Sequence, residues 1–288
     1  VKFTVGVCQF QPDKGRLEAT LDHMADCIQQ ASDDGADLVV FPESSTTGYI
    51  LEGGVDELSL SASDLGDKLA ARLTGLKRPI DASIGFYESA QFRPYNSAGY
   101  FEFAPDSHRL VGSYHKFFLP TYHVFDEHRF HQAGNDLGLI ETRFGLFGQL
   151  ICEDVWHSIL PALLCAGGAQ MILVHSASPA RGFQAEKPGN LLRYERMLTA
   201  LCEEHGMACA MAMLVGFEGG KGMTGGSMIL NPFGQIIAQA DILGEQLVLA
   251  EVDLDDVPLA RSRIPLASDL HERWPDIVRF AQEIHEKS

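Results

Sequence analysis

Strand-like and helix-like segments alternate along almost the whole chain, and this alternation limits the fold more than any other feature. Phe3, Val5, Val7 and Phe10 predict an opening strand. Leu17, Leu21, Met24 and Ile28 then fall at helical spacing and predict an amphipathic helix. Gly35-Ala36-Asp37 ends it, and Leu38 to Phe41 predicts a short buried strand. Alternation returns over 80–87, and Tyr95 to Phe103 and Leu110 to Tyr114 predict successive strands. The run LFGQLI at 146–151 predicts an apolar strand ending at Cys152. A helix around 157–166, a strand at 171–175, a helix over 190–204 and a strand at 208–215 follow. Asn231-Pro232-Phe233-Gly234 has the Pro and Gly placement of a type I turn and predicts a hairpin between SMIL and QIIAQA. A strand at 246–253 and a helix at 276–286 complete the pattern. No internal repeat, low-complexity tract or long linker interrupts it. One α/β domain over residues 1–288 is expected, with helices covering the sheets.

Composition narrows the partners. Lys plus Arg is 22 and Asp plus Glu is 39, a net charge of −17. Nucleic acid and anionic membranes are bound through basic surfaces, so neither is expected as a partner. No apolar stretch approaches the roughly 18 residues that a membrane span requires. The opening VKFTVGVCQF lacks the long apolar run of a signal peptide. The six cysteines, Cys8, Cys27, Cys152, Cys165, Cys202 and Cys209, form no CxxC pair. They predict reduced thiols in a cytoplasmic protein, most of them serving as small buried hydrophobes.

Three short blocks could carry chemistry. Glu43, in FPES, directly follows the apolar run DLVVF. A carboxylate at a strand end against an apolar wall can have a raised pKa and act as a general base. Lys116, in YHKFFLP, lies among aromatic and apolar residues, where it either snorkels or is held in a site. Cys152, in GQLICEDVW, sits where a strand meets a turn, and a thiol there can be exposed and activated. Each has an ordinary structural explanation when taken alone. Together they follow apolar strands that can end at one sheet edge, and they suffice for thiol-based acyl transfer. The carboxylate takes the proton, the thiolate attacks and the ammonium holds the oxyanion.

The sequence resembles the nitrilase superfamily of carbon–nitrogen hydrolases nearly end to end. The resemblance is carried by GVCQFQP, GADLVVFPESSTTGY, YNSAGYF, YHKFFLPTYHVFDEHRFHQAG, GQLICEDVWHS, HSASP, GGSMILNPFGQIIAQA and EVDLDDV. It implies a four-layer α-β-β-α sandwich, commonly assembled as dimers or larger homo-oligomers. It also implies a Glu–Lys–Cys triad at Glu43, Lys116 and Cys152, with Glu127 as the second, positioning glutamate. CED-x-W and KFFLPTYHVFDE are most similar to the glutaminase domains of glutamine-dependent NAD synthetases and related stand-alone amidases. That branch implies substrate contacts from Tyr49, Tyr122, Glu153 and Ser178, with Arg181 near the pocket. Two features depart from it. Gly219-Gly220-Lys221-Gly222 lacks the spacing and the Ser/Thr of a P-loop, so no ATP-dependent synthetase domain is expected. MAMLVG lacks the Asn common before Val-Gly.

The expected activity is hydrolysis of a small neutral or zwitterionic amide through a thioester on Cys152, with no cofactor or metal. The alternatives are a nitrilase or N-carbamoyl amidohydrolase, and a non-catalytic or ammonia-donating module of the same fold. A metal hydrolase built on His115, His123, Asp126, Glu127, His128 and His131 is disfavoured, because these residues match no HExxH or strong zinc spacing.

Overall fold

Strands buried on both faces need no alternation of apolar and polar residues, and the runs LVV and MILVHS show this. The computed structural model describes residues 1–51, 54–122 and 125–287. The chain begins with β1 (Lys2–Gln9), α1 (Leu17–Asp33), β2 (Leu38–Val40), α2 (Val55–Leu58) and α3 (Ala62–Ala70). It continues through β3 (Ile80–Glu88), β4 (Tyr95–Ala104), β5 (Ser107–His115), α4 (Glu127–Phe130), β6 (Leu139–Glu141) and β7 (Leu146–Ile151). Next come α5 (Glu153–Trp156), α6 (Ile159–Ala166), β8 (Met171–Ser176), α7 (Gly189–His205) and β9 (Ala208–Met213). β10 (Phe217–Glu218), β11 (Lys221–Gly222), β12 (Met228–Leu230) and β13 (Ile236–Gln239) follow. The last elements are β14 (Gln246–Asp253), α8 (Asp256–Arg263) and α9 (Leu266–His285).

Two six-stranded sheets result, ordered β14-β1-β2-β3-β4-β5 and β13-β12-β9-β8-β7-β6, while β10 and β11 pair separately. β1, β2 and β3 run parallel, and two antiparallel steps through β4 return β5 to the same direction. β7, β8 and β9 are also parallel. The inner faces meet in one apolar layer, where Val5, Val40 and Tyr100 of the first sheet pack with Phe147, Leu173 and Ala210 of the second. The outer face of the first sheet is covered by α1 and α3 through Leu21, Met24, Ile28, Leu65 and Leu69. α6 and α7 cover the second through Leu160, Leu164, Leu191 and Leu198. The order of layers is therefore α-β-β-α, as the resemblance implies. No helix among the described residues is long and apolar enough to cross a membrane.

The elements follow the periodicity closely, with informative exceptions. The helix expected around 157–166 is α6, which begins two residues later at Ile159, and a separate short turn of helix, α5, precedes it. Pro161 has no N–H to give the His157 carbonyl, so a continuous helix fails there, whereas Pro is tolerated in the first turn of α6. The terminal helix starts ten residues earlier than expected, at Leu266, and runs through Pro275. α3 is not announced by the apolar pattern. Its start is fixed by Ser61, whose hydroxyl accepts from the Asp64 N–H at 3.0 Å.

Candidate active site

Because β2 and β5 point the same way, the residues beyond their carboxyl ends reach one edge of the first sheet. Glu43 lies just past β2, and Lys116 directly follows β5. Cys152 directly follows β7 in the second sheet, beside the end of β8. Two glycines permit the close packing. A Cβ on Gly85 of β3 would run into the Pro42 carbonyl and Glu43 Cα, and one on Gly134 would run into the His115 carbonyl. The Gly134 N–H in turn donates to the Lys116 carbonyl at 2.8 Å.

Glu43 and Lys116 are completely buried. Lys116 Nζ donates to Glu43 Oε1 and Glu127 Oε1, both at 2.7 Å. Glu43 Oε1 also accepts from Asn96 Nδ2, and its Oε2 accepts from the Ala177 N–H, each at 2.8 Å. The Ala177 bond crosses from one sheet to the other. The Tyr49 hydroxyl donates to Glu127 Oε1, while Glu127 Oε2 is buried without a partner among the described residues. Burial opposes the charge on Lys116, but the Glu127 and Glu43 carboxylates outweigh it and hold its pKa well above the ordinary value. Burial raises Glu127 above the usual carboxylate range, against the pull of Lys116. An ammonium clamped between two carboxylates is thus the fixed charge of the site.

Cys152 has φ +46°, an uncommon conformation for a residue with a Cβ. Its N–H donates to the His175 carbonyl at 2.8 Å. Burial and the Glu43 carboxylate push the thiol pKa up to about 12, opposed by Lys116 and by the hydroxyls of Tyr194 and Ser176. The sulfur is therefore a thiol at rest.

Two buried groups hold the three blocks in register, and sequence reasoning missed both. Asp154 accepts from the Tyr114 hydroxyl and Phe118 N–H at 2.8 Å and from the Ile151 N–H at 3.1 Å. It ties the turn carrying Cys152 to the segment carrying Lys116, and burial raises its pKa to about 6. His175 lies 2.7 Å through Nδ1 from the Phe41 carbonyl and 3.1 Å through Nε2 from Ser83 Oγ. A carbonyl only accepts, so Nδ1 carries the proton and Nε2 accepts from Ser83. A polar residue inside the apolar run MILVHS was the available signal. Asn96, within the block YNSAGYF, was likewise not singled out.

His175 gives a pH prediction. Burial lowers its pKa to about 4, whereas the unfolded chain titrates near the ordinary value of about 6.5. The unfolded state therefore binds the proton first as pH falls. Stability from neutral His175 is complete above about 6.5 and is lost as pH falls through about 4, a change of about 3 kcal/mol. His175→Asn should accordingly cost less stability at pH 4 than at pH 7, by about that amount. Urea unfolding of both proteins at both pH values measures the difference; an equal cost at the two would show that His175 does not titrate this way.

The expected substrate contacts fall into separate groups. Tyr49 lines an apolar cleft with Tyr87 and Phe125, at whose wall Glu127 lies. The Tyr122 hydroxyl donates to Glu153 Oε2 at 2.7 Å near the surface. The Arg181 guanidinium lies 5.7 Å from the Phe125 ring centre and 5.9 Å from that of Trp156. Ser178 is buried and accepts from Asn190 Nδ2 at 2.8 Å. The histidines and acids weighed as metal ligands serve other ends. His115 pairs with Glu88, and His131 stacks on Tyr87. His123 lies outside the described residues. Among the described residues no three His, Cys, Asp or Glu side chains group as a metal ion would need.

Known proteins share the fold and part of the sequence. The glutamine-dependent NAD(+) synthetase of Thermotoga maritima is 29% identical over 261 residues, covering 88% of this chain and 43% of the synthetase. This chain thus spans less than half the length of that relative. The solved glutamine-dependent NAD+ synthetase of Acinetobacter baumannii superposes with a TM-score of 0.76 at 29% identity, over 89% of this chain and 47% of that one. A carbon–nitrogen hydrolase from Helicobacter pylori shares the fold end to end, with a TM-score of 0.80 at 23% identity over 93% of this chain and 95% of the other. Residues 4–262 match the family described as carbon-nitrogen hydrolase, and the chain, with its α-β-β-α layers, belongs to that family.

Proposed function

We propose that this chain hydrolyses the carbon–nitrogen bond of a small-molecule amide through a thioester on Cys152. The observation that carries the reading is the buried Lys116 ammonium held at 2.7 Å from both Glu43 and Glu127, at the edge where Cys152 emerges. Glu43 takes the thiol proton as the sulfur attacks the carbonyl carbon. The tetrahedral oxyanion is held by Lys116 and a backbone N–H. The N–H of Cys152 is committed to the His175 carbonyl, so the backbone donor is that of Glu153, which opens α5. Glu43 then delivers the proton to the leaving nitrogen, and ammonia or an amine departs. Water, activated by Glu43, attacks the thioester, and the acid leaves as the thiol re-forms. Glu127 keeps Lys116 pointed at the oxyanion position.

Arg181, flanked by aromatic rings, and the Tyr122–Glu153 pair support a polar or zwitterionic amide, and the names of the matched synthetases make glutamine the first to try. The test is a panel of glutamine, simple aliphatic amides, nitriles and N-carbamoyl compounds scored for ammonia release. Turnover of at least one amide, with nitriles and carbamoyl compounds slower, is the expected result. Turnover of nitriles or carbamoyl compounds in preference to every amide would overturn it.

A further inference from the structure

The sulfur of Cys152 is met from the side of α7 by two hydroxyls that the steps above leave unused. Tyr194 Oη lies 3.4 Å from Sγ, Ser176 Oγ lies 3.5 Å from it, and the two oxygens are 2.9 Å apart. Both residues are completely buried. Tyr194 comes from the middle of α7, where helical spacing marks it as an ordinary core residue alongside Leu191 and Leu198. Its ring is fixed edge-on against Trp156, 5.1 Å between centres. Ser176 ends β8 and precedes Ala177, whose N–H holds Glu43. Two donors thus converge on a sulfur that burial would otherwise leave poorly solvated as an anion, since an unpartnered buried charge is costly.

We propose that Tyr194 and Ser176 form a hydroxyl pair that stabilises the Cys152 thiolate, both as nucleophile and as leaving group. The inference rests on the thioester reading. In the thiol state the hydroxyls hydrogen-bond each other. When the thiol proton passes to Glu43, the O–H groups turn toward the sulfur, and neither loses its own proton. As the sulfur lone pair forms the C–S bond, the hydroxyls return to one another. When the second tetrahedral intermediate collapses, the C–S electron pair returns to sulfur, which again accepts from both hydroxyls before regaining its proton.

The test is the rate of Cys152 alkylation by iodoacetamide between about pH 7 and pH 9, followed by peptide mapping so that Cys27 and the other thiols do not contribute. A thiol that titrates at about 12 is only slightly ionised there, so a raised pKa reads as a proportional fall in rate. Wild type, Tyr194→Phe and Ser176→Ala are compared in the full chain. A hydrogen bond to a charged group corresponds to roughly a tenfold to hundredfold change in an equilibrium. Tyr194→Phe should therefore slow Cys152 alkylation by about tenfold to hundredfold across this range. It should lower kcat by roughly tenfold or more with little change in KM. Ser176→Ala should slow alkylation in the same way by less. If Tyr194→Phe does not fold, the Ser176→Ala rate decides. An unchanged alkylation rate in the folded variants overturns the proposal even if turnover falls, since that is what a packing role alone would give. The two readings fail separately. If wild type turns over no amide yet alkylation slows in the variants, the thioester reading fails and the hydroxyl assignment stands. If wild type turns over an amide and alkylation does not slow, only the assignment fails.

Discussion

Cys152→Ala is expected to abolish ammonia release from any amide that the wild-type chain hydrolyses. The loss should exceed about 10³-fold, because removing the nucleophile of a covalent mechanism removes the route itself. The neighbouring hydroxyls offer no substitute, because burial raises the Tyr194 phenol well above its ordinary pKa and Ser176 already bonds it at 2.9 Å. The fold should survive. The two hydroxyls that meet the sulfur can still bond each other without it, and Ala at φ +46° carries the same Cβ strain that Cys152 already carries. Turnover and thermal melting together are the measurement. A folded variant that releases ammonia at the wild-type rate would exclude the thioester.

Lys116→Ala should damage both activity and stability. Loss of an oxyanion donor typically costs about 10²–10³ in turnover. Removing one partner of a buried ion pair costs about 3–5 kcal/mol of stability, because the remaining charge is stranded. Here two carboxylates are stranded, Glu43 and Glu127, which share the ammonium through one oxygen each. Without Lys116 they repel, so Glu127, already raised by burial, should be raised further above its unfolded value and take up a proton. A raised carboxylate pKa makes the native state bind the proton more tightly than the unfolded chain. The penalty of the substitution should therefore shrink as pH falls through the raised value and toward the unfolded one. Urea unfolding of wild type and variant at pH 7 and pH 5 reads this directly. A variant as stable as wild type at pH 7, and within a few-fold in turnover, would show that the ammonium is not the fixed charge of the site.

That Glu43, Lys116 and Cys152 each stand just beyond a strand was legible in the sequence, because the period of strands is a local property. Their supports were not. The His175 contact with Phe41, the Tyr194 contact with Cys152 and the Asp154 contact with Tyr114 span 134, 42 and 40 residues. None leaves a local pattern. Tyr194 is concealed further by its place on the apolar stripe of α7, where an aromatic residue suits core packing equally well. At the level of the fold, strand positions followed from periodicity, but neighbours did not. β1 and β14, at opposite ends of the chain, pair along their full length from Lys2–Asp253 to Gln9–Gln246. The four-layer order came from family resemblance and not from the spacing. The early start of α9 was obscured by Pro275, which marks a helix boundary more often than an interior position.

The bond from the Ala177 N–H to Glu43 has a wider implication. On the proposed reading, the base Glu43 and the Lys116 ammonium follow strands of one sheet, and Cys152 and Ser176 belong to the other, with Tyr194 on the helix that covers it, so neither sheet holds a working half. Catalytic competence is then a readout of how the two sheets are seated on each other. A slip of about an ångström along the apolar layer would leave every strand intact and the enzyme idle. Core side chains such as Tyr100 and Phe147, where the sheets meet, would thereby act as the alignment pins of the proposed reaction.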